Sequence, residues 1–181
     1  MLSITAIIPA RSGSKRLKNK NIYPVWEKPM MYWAINACKN SIYNIDVWVS
    51  TDSDLYANIA KECGAKIVYR DEIISNDTAF KQEAIRDAAK KIDNIKGVSD
   101  FYISLQANSP QIKSYHLDAG IKKIIDLKKD EIISVNDDLC QNGAFRIFRE
   151  NYVYQKDLST NCGVIVYNLS DIHTIEDILS L

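Results

Sequence analysis

Residues 4–21, "ITAIIPARSGSKRLKNKN", start as an apolar run and end as a basic loop. Ile4-Thr-Ala-Ile-Ile8 is a short β-branched segment closed by Pro9, the pattern of a buried strand. The thirteen residues from Pro9 to Asn21 then carry five basic side chains and no acid. Ser12, Gly13 and Ser14 are small enough to let backbone N–H groups turn inward, and Arg11, Lys15, Arg16, Lys18 and Lys20 surround them. Inward amides ringed by cations are chemistry for a polyphosphate. Two familiar phosphate loops are excluded, because G-x-x-x-x-G-K-[ST] is absent and the single Gly13 cannot supply G-x-G-x-x-G. On composition alone the charges fit a solvated face equally well; their place at a strand end favours a site.

Outward from that strand, apolar runs alternate with amphipathic stretches. The pattern predicts helices over 29–40, 54–63, 78–92 and 114–127 and a last one from Thr174. It predicts strands at 46–50, 66–69, 100–105, 131–135, 144–148 and 163–167. Leu55, Ile59 and Ala60 read as one helical face, and Gly64 suits the C-terminal cap of that helix. Strands alternating with ten-to-fifteen-residue helices argue for βαβ units, hence an α/β fold whose mainly parallel sheet is covered on both faces. Ligands of such sheets sit at the carboxyl ends of the strands. The loops leaving those ends are 9–21, 50–53, 70–78, 106–110 and 168–173.

Composition narrows the function classes. The 181 residues are 46% hydrophobic and 25% charged, which fits one ordinary domain. Lys plus Arg and Asp plus Glu both total 23, so no overall bias points to nucleic acid or an anionic membrane as partner. Cys38, Cys63, Cys140 and Cys162 are far apart with no C-x-x-C pair, which favours reduced thiols in a cytoplasmic protein over a zinc site. No apolar run approaches the length needed to span a bilayer. With only His116 and His173 in the chain and no G-x-S-x-G, a Ser-His-Asp or Cys-His nucleophile is not expected.

The segment Ile7–Ile22, "IIPARSGSKRLKNKNI", resembles the signature loop of the CMP-sugar synthetases, the acylneuraminate and related cytidylyltransferases. The resemblance continues through "KPMMYWAINA" (28–37), "VSTDSDLYANIAKECGAKIVYR" (49–70), "SNDTA" (75–79), "LQANSP" (105–110), "NGAFRIF" (142–148) and "SDIHTIEDI" (170–178). In this order the motifs are specific and cover nearly the whole chain. They imply a three-layer α/β/α, Rossmann-like nucleotidyltransferase fold in a single domain over 1–181. The implied reaction is attack of an acidic sugar, or a smaller acidic acceptor, on the α-phosphorus of CTP, giving a CMP ester and pyrophosphate.

Carried over position by position, the resemblance puts Arg11, Ser14, Lys20 and Asn21 on the triphosphate, with Lys15 beside them. It puts Arg70 and Ala79 at the cytosine, where a backbone-lined slot excludes a purine by size, and Gln106 toward the acceptor. A surface ion pair of Arg70 with Asp71 or Glu72 is the alternative there, and a satisfied loop amide is the alternative for Gln106. The family's late D-x-D reads Asp171-Ile-His173 here. Asp171 is thus the implied ligand for Mg²⁺, or for Mn²⁺ in its place. His173 is either a lost metal ligand that leaves a weakened nucleotide-binding relative, a general base for the acceptor, or a packing residue. Relatives that use sialic acids carry a long excursion before the "NGA" strand, with dimer contacts and basic residues for the sugar carboxylate. Only residues 136–141 stand there in this chain, so a monomer or a non-standard dimer is expected. Glu27, where the family has Gly, and Asn108, where it has Thr, are read as tolerated loop changes.

Overall fold

A computed structural model describes residues 2–71 and 81–181. Its elements in chain order are β1 (Ile4–Pro9), β2 (Pro24–Val25), β3 (Lys28–Pro29), α1 (Met30–Lys39), β4 (Ile45–Thr51), α2 (Asp54–Glu62) and β5 (Lys66–Tyr69). Then come α3 (Lys81–Lys96), β6 (Phe101–Leu105), α4 (Ser114–Asp126), β7 (Glu131–Val135), β8 (Gln141–Arg149), β9 (Cys162–Val166) and α5 (Ile175–Leu179). Seven strands form one sheet in the order β5-β4-β1-β6-β8-β7-β9. β1 pairs in parallel with β4 and β6, β4 with β5, and β7 with β9. β8 runs antiparallel between β6 and β7. The mainly parallel α/β sheet expected from the sequence is what forms, and the reversal of β8 brings its first residues, Gln141–Gly143, to the edge where the parallel strands end.

Side-chain alternation builds the layers. Ile4, Ala6 and Ile8 of β1, Phe101, Ile103 and Leu105 of β6, and Phe145 and Ile147 of β8 pack on one face with α1, α2 and α4. Ile7, Tyr102 and Phe148 face the other side, against Ile85, Ala88, Ala89 and Ile92 of α3. Three readings of helical faces and ends shift. On α2 the buried residues are Tyr56, Ala57 and Ala60, while Leu55 is exposed. In α4, where apolar positions 117, 121, 124 and 125 of the sequence read as the inward face, Leu117, Ile121 and Ile124 are buried and Ile125 is not. α3 continues to Lys96, past the expected end at Ile92. Gly64 has φ +91°, as a residue just past the helix end requires. Among the described residues three short features went unread: the 3₁₀ turn at Lys20–Ile22, the β2–β3 hairpin, and a 3₁₀ turn at Glu150–Tyr154 that caps the α3 face through Val153. Among the described residues no helix is long and apolar enough to cross a membrane.

A small third cluster positions the C-terminal segment. Ile172 is fully buried against Val25 of the hairpin and Met30 of α1, with Ile178 and Leu181 beside them. Its backbone N–H donates to the Asn108 carbonyl at 2.9 Å. Burying the residue between Asp171 and His173 presents both of those side chains at the carboxyl edge of the sheet.

Candidate active site

The basic loop leaves β1 at Pro9 and stays joined to the sheet for one more residue, where Ala10 N–H donates to the Ser50 carbonyl at 2.8 Å. The Asp52 carboxylate then takes the Ser12 N–H at 2.9 Å, and Ser14 N–H folds back onto the Ser12 carbonyl at 2.9 Å. Leu17 is buried and anchors the middle of the loop. Asn19, at φ 55°, turns the chain into the 3₁₀ segment Lys20–Ile22. The buried Asn21 closes the loop by donating from Nδ2 to the Arg11 carbonyl at 3.1 Å. Arg11 and Ser14 are half-buried, whereas Lys15 and Arg16 are exposed. The loop is therefore a fixed cradle rather than a loose charge run.

Burial lowers the pKa of Lys20; Asp171 opposes that shift, and Arg16 and Arg11 add to it. Lys20 thus stands between the cations of the loop and the carboxylate of a segment some 150 residues away. His173 makes the physical link. Its Nδ1 lies 2.9 Å from the Arg16 guanidinium and 3.4 Å from Lys20 Nζ, and its Nε2 lies 3.1 Å from Asp171 Oδ2. A guanidinium can only donate, so Nδ1 is the acceptor and Nε2 carries the proton that goes to Asp171. With its Nδ1 lone pair taken by Arg16, His173 has no nitrogen left for a substrate proton. The general-base reading finds no support in this geometry, and a bridge between the loop and Asp171 does.

Asp171 is held from the other side by Asn108, whose Nδ2 donates to Asp171 Oδ1 and, at 2.8 Å, to the Ile172 carbonyl. Asn108 is buried, so it is a clamp and not merely a tolerated loop change. Among the described residues no three His, Cys, Asp or Glu side chains gather into a metal cluster. Asp171 offers one hard carboxylate, about 29% exposed, beside a cleft of about 700 Å³. Each of its oxygens keeps a second lone pair. That donor set fits a Mg²⁺ or Mn²⁺ ion that retains water and completes its sphere with phosphate oxygens.

Arg70 sits at the end of β5, with its backbone N–H on the Thr51 carbonyl at 2.9 Å and its guanidinium 3.2 Å from the Ser50 carbonyl. Burial lowers its pKa, Asp52 opposes and Arg11 adds. Asp71 pairs with Lys91 at 2.8 Å, and Glu72 lies outside the described residues. Ala79, the other residue assigned to the cytosine, also lies outside them. Gln106 is fixed by its backbone N–H on the Ala144 carbonyl at 2.9 Å, and its side-chain amide lies against Gly143. Gly143 has φ +70°, and any Cβ there would run into that amide.

Thus Arg11, Ser14, Lys15, Lys20 and Asn21 line one loop, Asp171 and His173 meet that loop, and Arg70 and Gln106 stand at the carboxyl ends of β5 and β6, on either side of β4 and β1. Reading the sequence missed three participants. Arg16 was one cation among five until His173 was seen against it. Asn108 looked like a substitution. Lys81, the first described residue of α3, donates to the Gly143 carbonyl at 3.2 Å and lies within electrostatic reach of Asp171. No local pattern marks Lys81, because its neighbours come from β8 and the C-terminal segment.

A family model described as cytidylyltransferase matches residues 5–172. The chain is 33% identical over 133 residues to the N-acylneuraminate cytidylyltransferase of Streptococcus agalactiae, covering 72% of this chain and 31% of that protein. It is 28% identical over 153 residues to the pseudaminic acid cytidylyltransferase of Campylobacter jejuni, covering 83% of this chain and 66% of that protein. The chain therefore spans about a third of the length of the first of these relatives. Among solved structures it is similar to a CMP:2-keto-3-deoxy-manno-octonic acid synthetase complexed with CTP, with a TM-score of 0.78 at 14% identity over 98% of this chain and 96% of that one. A cytidylyltransferase from Leptospira borgpetersenii gives a TM-score of 0.74 at 19% identity, over 98% of this chain and 84% of that one.

Proposed function

The chain belongs to the cytidylyltransferase family, and from that premise we propose that it transfers CMP from CTP to an acidic sugar, or to a smaller acidic acceptor, and releases pyrophosphate. One observation carries the reading: Arg16 and Lys20 of the basic loop reach His173, which bonds Asp171, so the cationic loop proposed for the triphosphate and the carboxylate proposed for the metal share one edge of the sheet.

In the proposed reaction an acceptor oxygen forms a bond to the α-phosphorus while the bond from that phosphorus to pyrophosphate breaks. Pyrophosphate leaves with the electron pair, and the acceptor proton passes to solvent. Negative charge grows on the transferred group and the leaving group, so positioned cations supply the catalysis. Arg11, Lys15 and Lys20, with Ser14 and Asn21, hold the triphosphate. Arg70 borders the cytosine and Gln106 faces the acceptor. Asp171 is the residue that would hold a Mg²⁺ ion, which would supply positive charge to neutralise the phosphates. Asn108 and His173 orient that carboxylate. The four cysteines, all free thiols, are in keeping with a reducing, cytoplasmic setting. The turn at 136–140 is closed by Asn136 N–H on the Cys140 carbonyl at 2.9 Å and stands where the sequence resemblance implies an excursion, so a short turn there is in keeping with a monomer or a non-standard dimer.

A second reading, a nucleotide-binding module without turnover, is favoured by the lone carboxylate at the metal position. Pyrophosphate release with Mg²⁺ and each of the four nucleoside triphosphates, against a panel of acidic sugars, separates the two. We expect release with CTP alone. CTP should also raise the melting temperature more than ATP or GTP does, by ligand linkage. Arg11→Ala should weaken CTP binding by about 1.5–3 kcal/mol without unfolding the chain. Equal stabilisation by a purine nucleotide would remove the cytidylyl reading.

A further inference from the structure

Lys81 is held differently from the other cations of the site and from its neighbour Arg146. Arg146 is bound to the buried Glu131 carboxylate, Arg16 and Lys20 to His173, and Arg70 to Ser50. Lys81 is bonded to a carbonyl, that of Gly143, and among the described residues no carboxylate lies within ion-pair distance of it. Its amine stands over the start of β8, where the Gln106 amide packs on Gly143. The residue as a whole is exposed, yet protein crowded around its ammonium lowers the pKa to about 8, with Asp171 opposing and Arg146 adding. An ammonium so placed gains from an arriving anion.

One chain position away, Asn142 lines the cleft of about 700 Å³ that contains Asp171. The cleft also holds Asp137, Asp138 and several carboxamides, with no lysine or arginine among the described residues that line it. Away from the proposed metal position at Asp171, the wall around Asp137 and Asp138 suits hydroxyl groups and repels a carboxylate. An acidic acceptor that places its hydroxyls there must direct its carboxylate elsewhere, and the cation across residues 142–143 is Lys81. We propose that Lys81 is the specificity-determining residue that receives the acceptor's carboxylate, while the acidic, carboxamide-lined cleft receives its hydroxyl-bearing part. This rests on the transfer reaction proposed above and names the residue that would select acids for it.

The test is a lysine footprint read by mass spectrometry, together with steady-state kinetics. Wild-type protein with CTP is treated with an amine-acylating reagent in the presence of N-acetylneuraminate, 3-deoxy-manno-octulosonate or glycerate, and in parallel with the methyl ester of each. We expect at least one of the acids, and not its ester, to protect Lys81 while the exposed Lys122 acylates as before. For an acid that is turned over, Lys81→Met should raise the acceptor KM about 10- to 100-fold, the equivalent of one charge-assisted hydrogen bond. The CTP KM and the CTP-induced thermal shift should stay within about twofold, and Lys81→Arg should restore much of the loss. The ester should bind wild type and Lys81→Met alike. Protection by none of the acids, protection by CTP alone, or a matching rise in CTP KM overturns the assignment of Lys81. A wild-type protein that CTP does not stabilise overturns the transfer reading itself.

Discussion

The carboxamide nitrogen of Asn108 donates both of its protons, one to the Asp171 carboxylate and one to the Ile172 carbonyl, from a position with 6% exposure. Removing it leaves a carboxylate and a carbonyl short of partners in a place that water reaches poorly. Asn108→Ala should therefore cost roughly 2–4 kcal/mol in urea unfolding, the sum of one charge-assisted and one neutral hydrogen bond. Asn108→Thr should recover part of it, because a hydroxyl keeps one donor. A loss below about 0.5 kcal/mol in Asn108→Ala would show that the clamp adds little to stability. The motif match made this residue look like a harmless change of Thr to Asn. Its work became visible only when residues 171–172 were seen folded against it.

At the scale of elements, β8 departs most from the parallel pattern and adds a buried ion pair. Arg146 on β8 reaches across to Glu131 on β7, whose side chain is 1% exposed and whose other oxygen takes the Ser159 N–H. The guanidinium also lies 4.7 Å from the centre of the Phe148 ring. Arg146→Met removes the counter-charge and leaves Glu131 buried and unpaired, which should destabilise the protein by about 3–5 kcal/mol. Adding Glu131→Gln to that variant should recover part of the loss, since an amide needs no counter-charge. Denaturant melts of the two variants check the order. A double variant no more stable than Arg146→Met would mean that packing, and not charge, dominates the site. The sequence gives β8 as an apolar strand at 144–148, but its direction is decided by which neighbours it pairs with, and periodicity within a strand is the same in either direction.

For the whole molecule, carboxylates set the acid limit. Desolvation would raise Asp46, but hydrogen bonds from Lys66, Trp48 and Lys96 overcome it and bring its pKa below the usual 3.8. The Ser3 backbone N–H and hydroxyl lower Asp100, and the backbone N–H groups of His173 and Thr174 lower Asp177. A carboxylate with a depressed folded pKa adds stability above its unfolded value and loses it as pH falls through the folded one. Asp93 works oppositely, since burial raises its pKa and protonation suits it. The Glu176 carboxylate is lowered as well, by backbone and Thr174 hydrogen bonds; among the described residues four depressed carboxylates against one raised predict a melting temperature that declines as pH drops below about 4, and a shallower decline in Asp46→Asn. A melting curve flat from pH 5 to pH 2.5 would contradict this balance.

What the sequence determined by itself is what depends on near neighbours. The strand at Ile4–Ile8, the cap at Gly64, the helix that begins at Thr174 and the cluster of cations after Pro9 are all set within a few residues, and the strand, cap and helix formed as read. Tertiary structure decided the direction of β8, the contact of Lys81 with Gly143 and the chain from Arg16 through His173 and Asp171 to Asn108. Arg16 and His173 are 157 residues apart, and Asn108 and Asp171 are 63. A hydrogen bond across such a separation leaves no periodic trace in the chain. Its partners are chosen by how the strands are ordered in the sheet and by the burial of Ile172, which carries Asp171 and His173 to the loop.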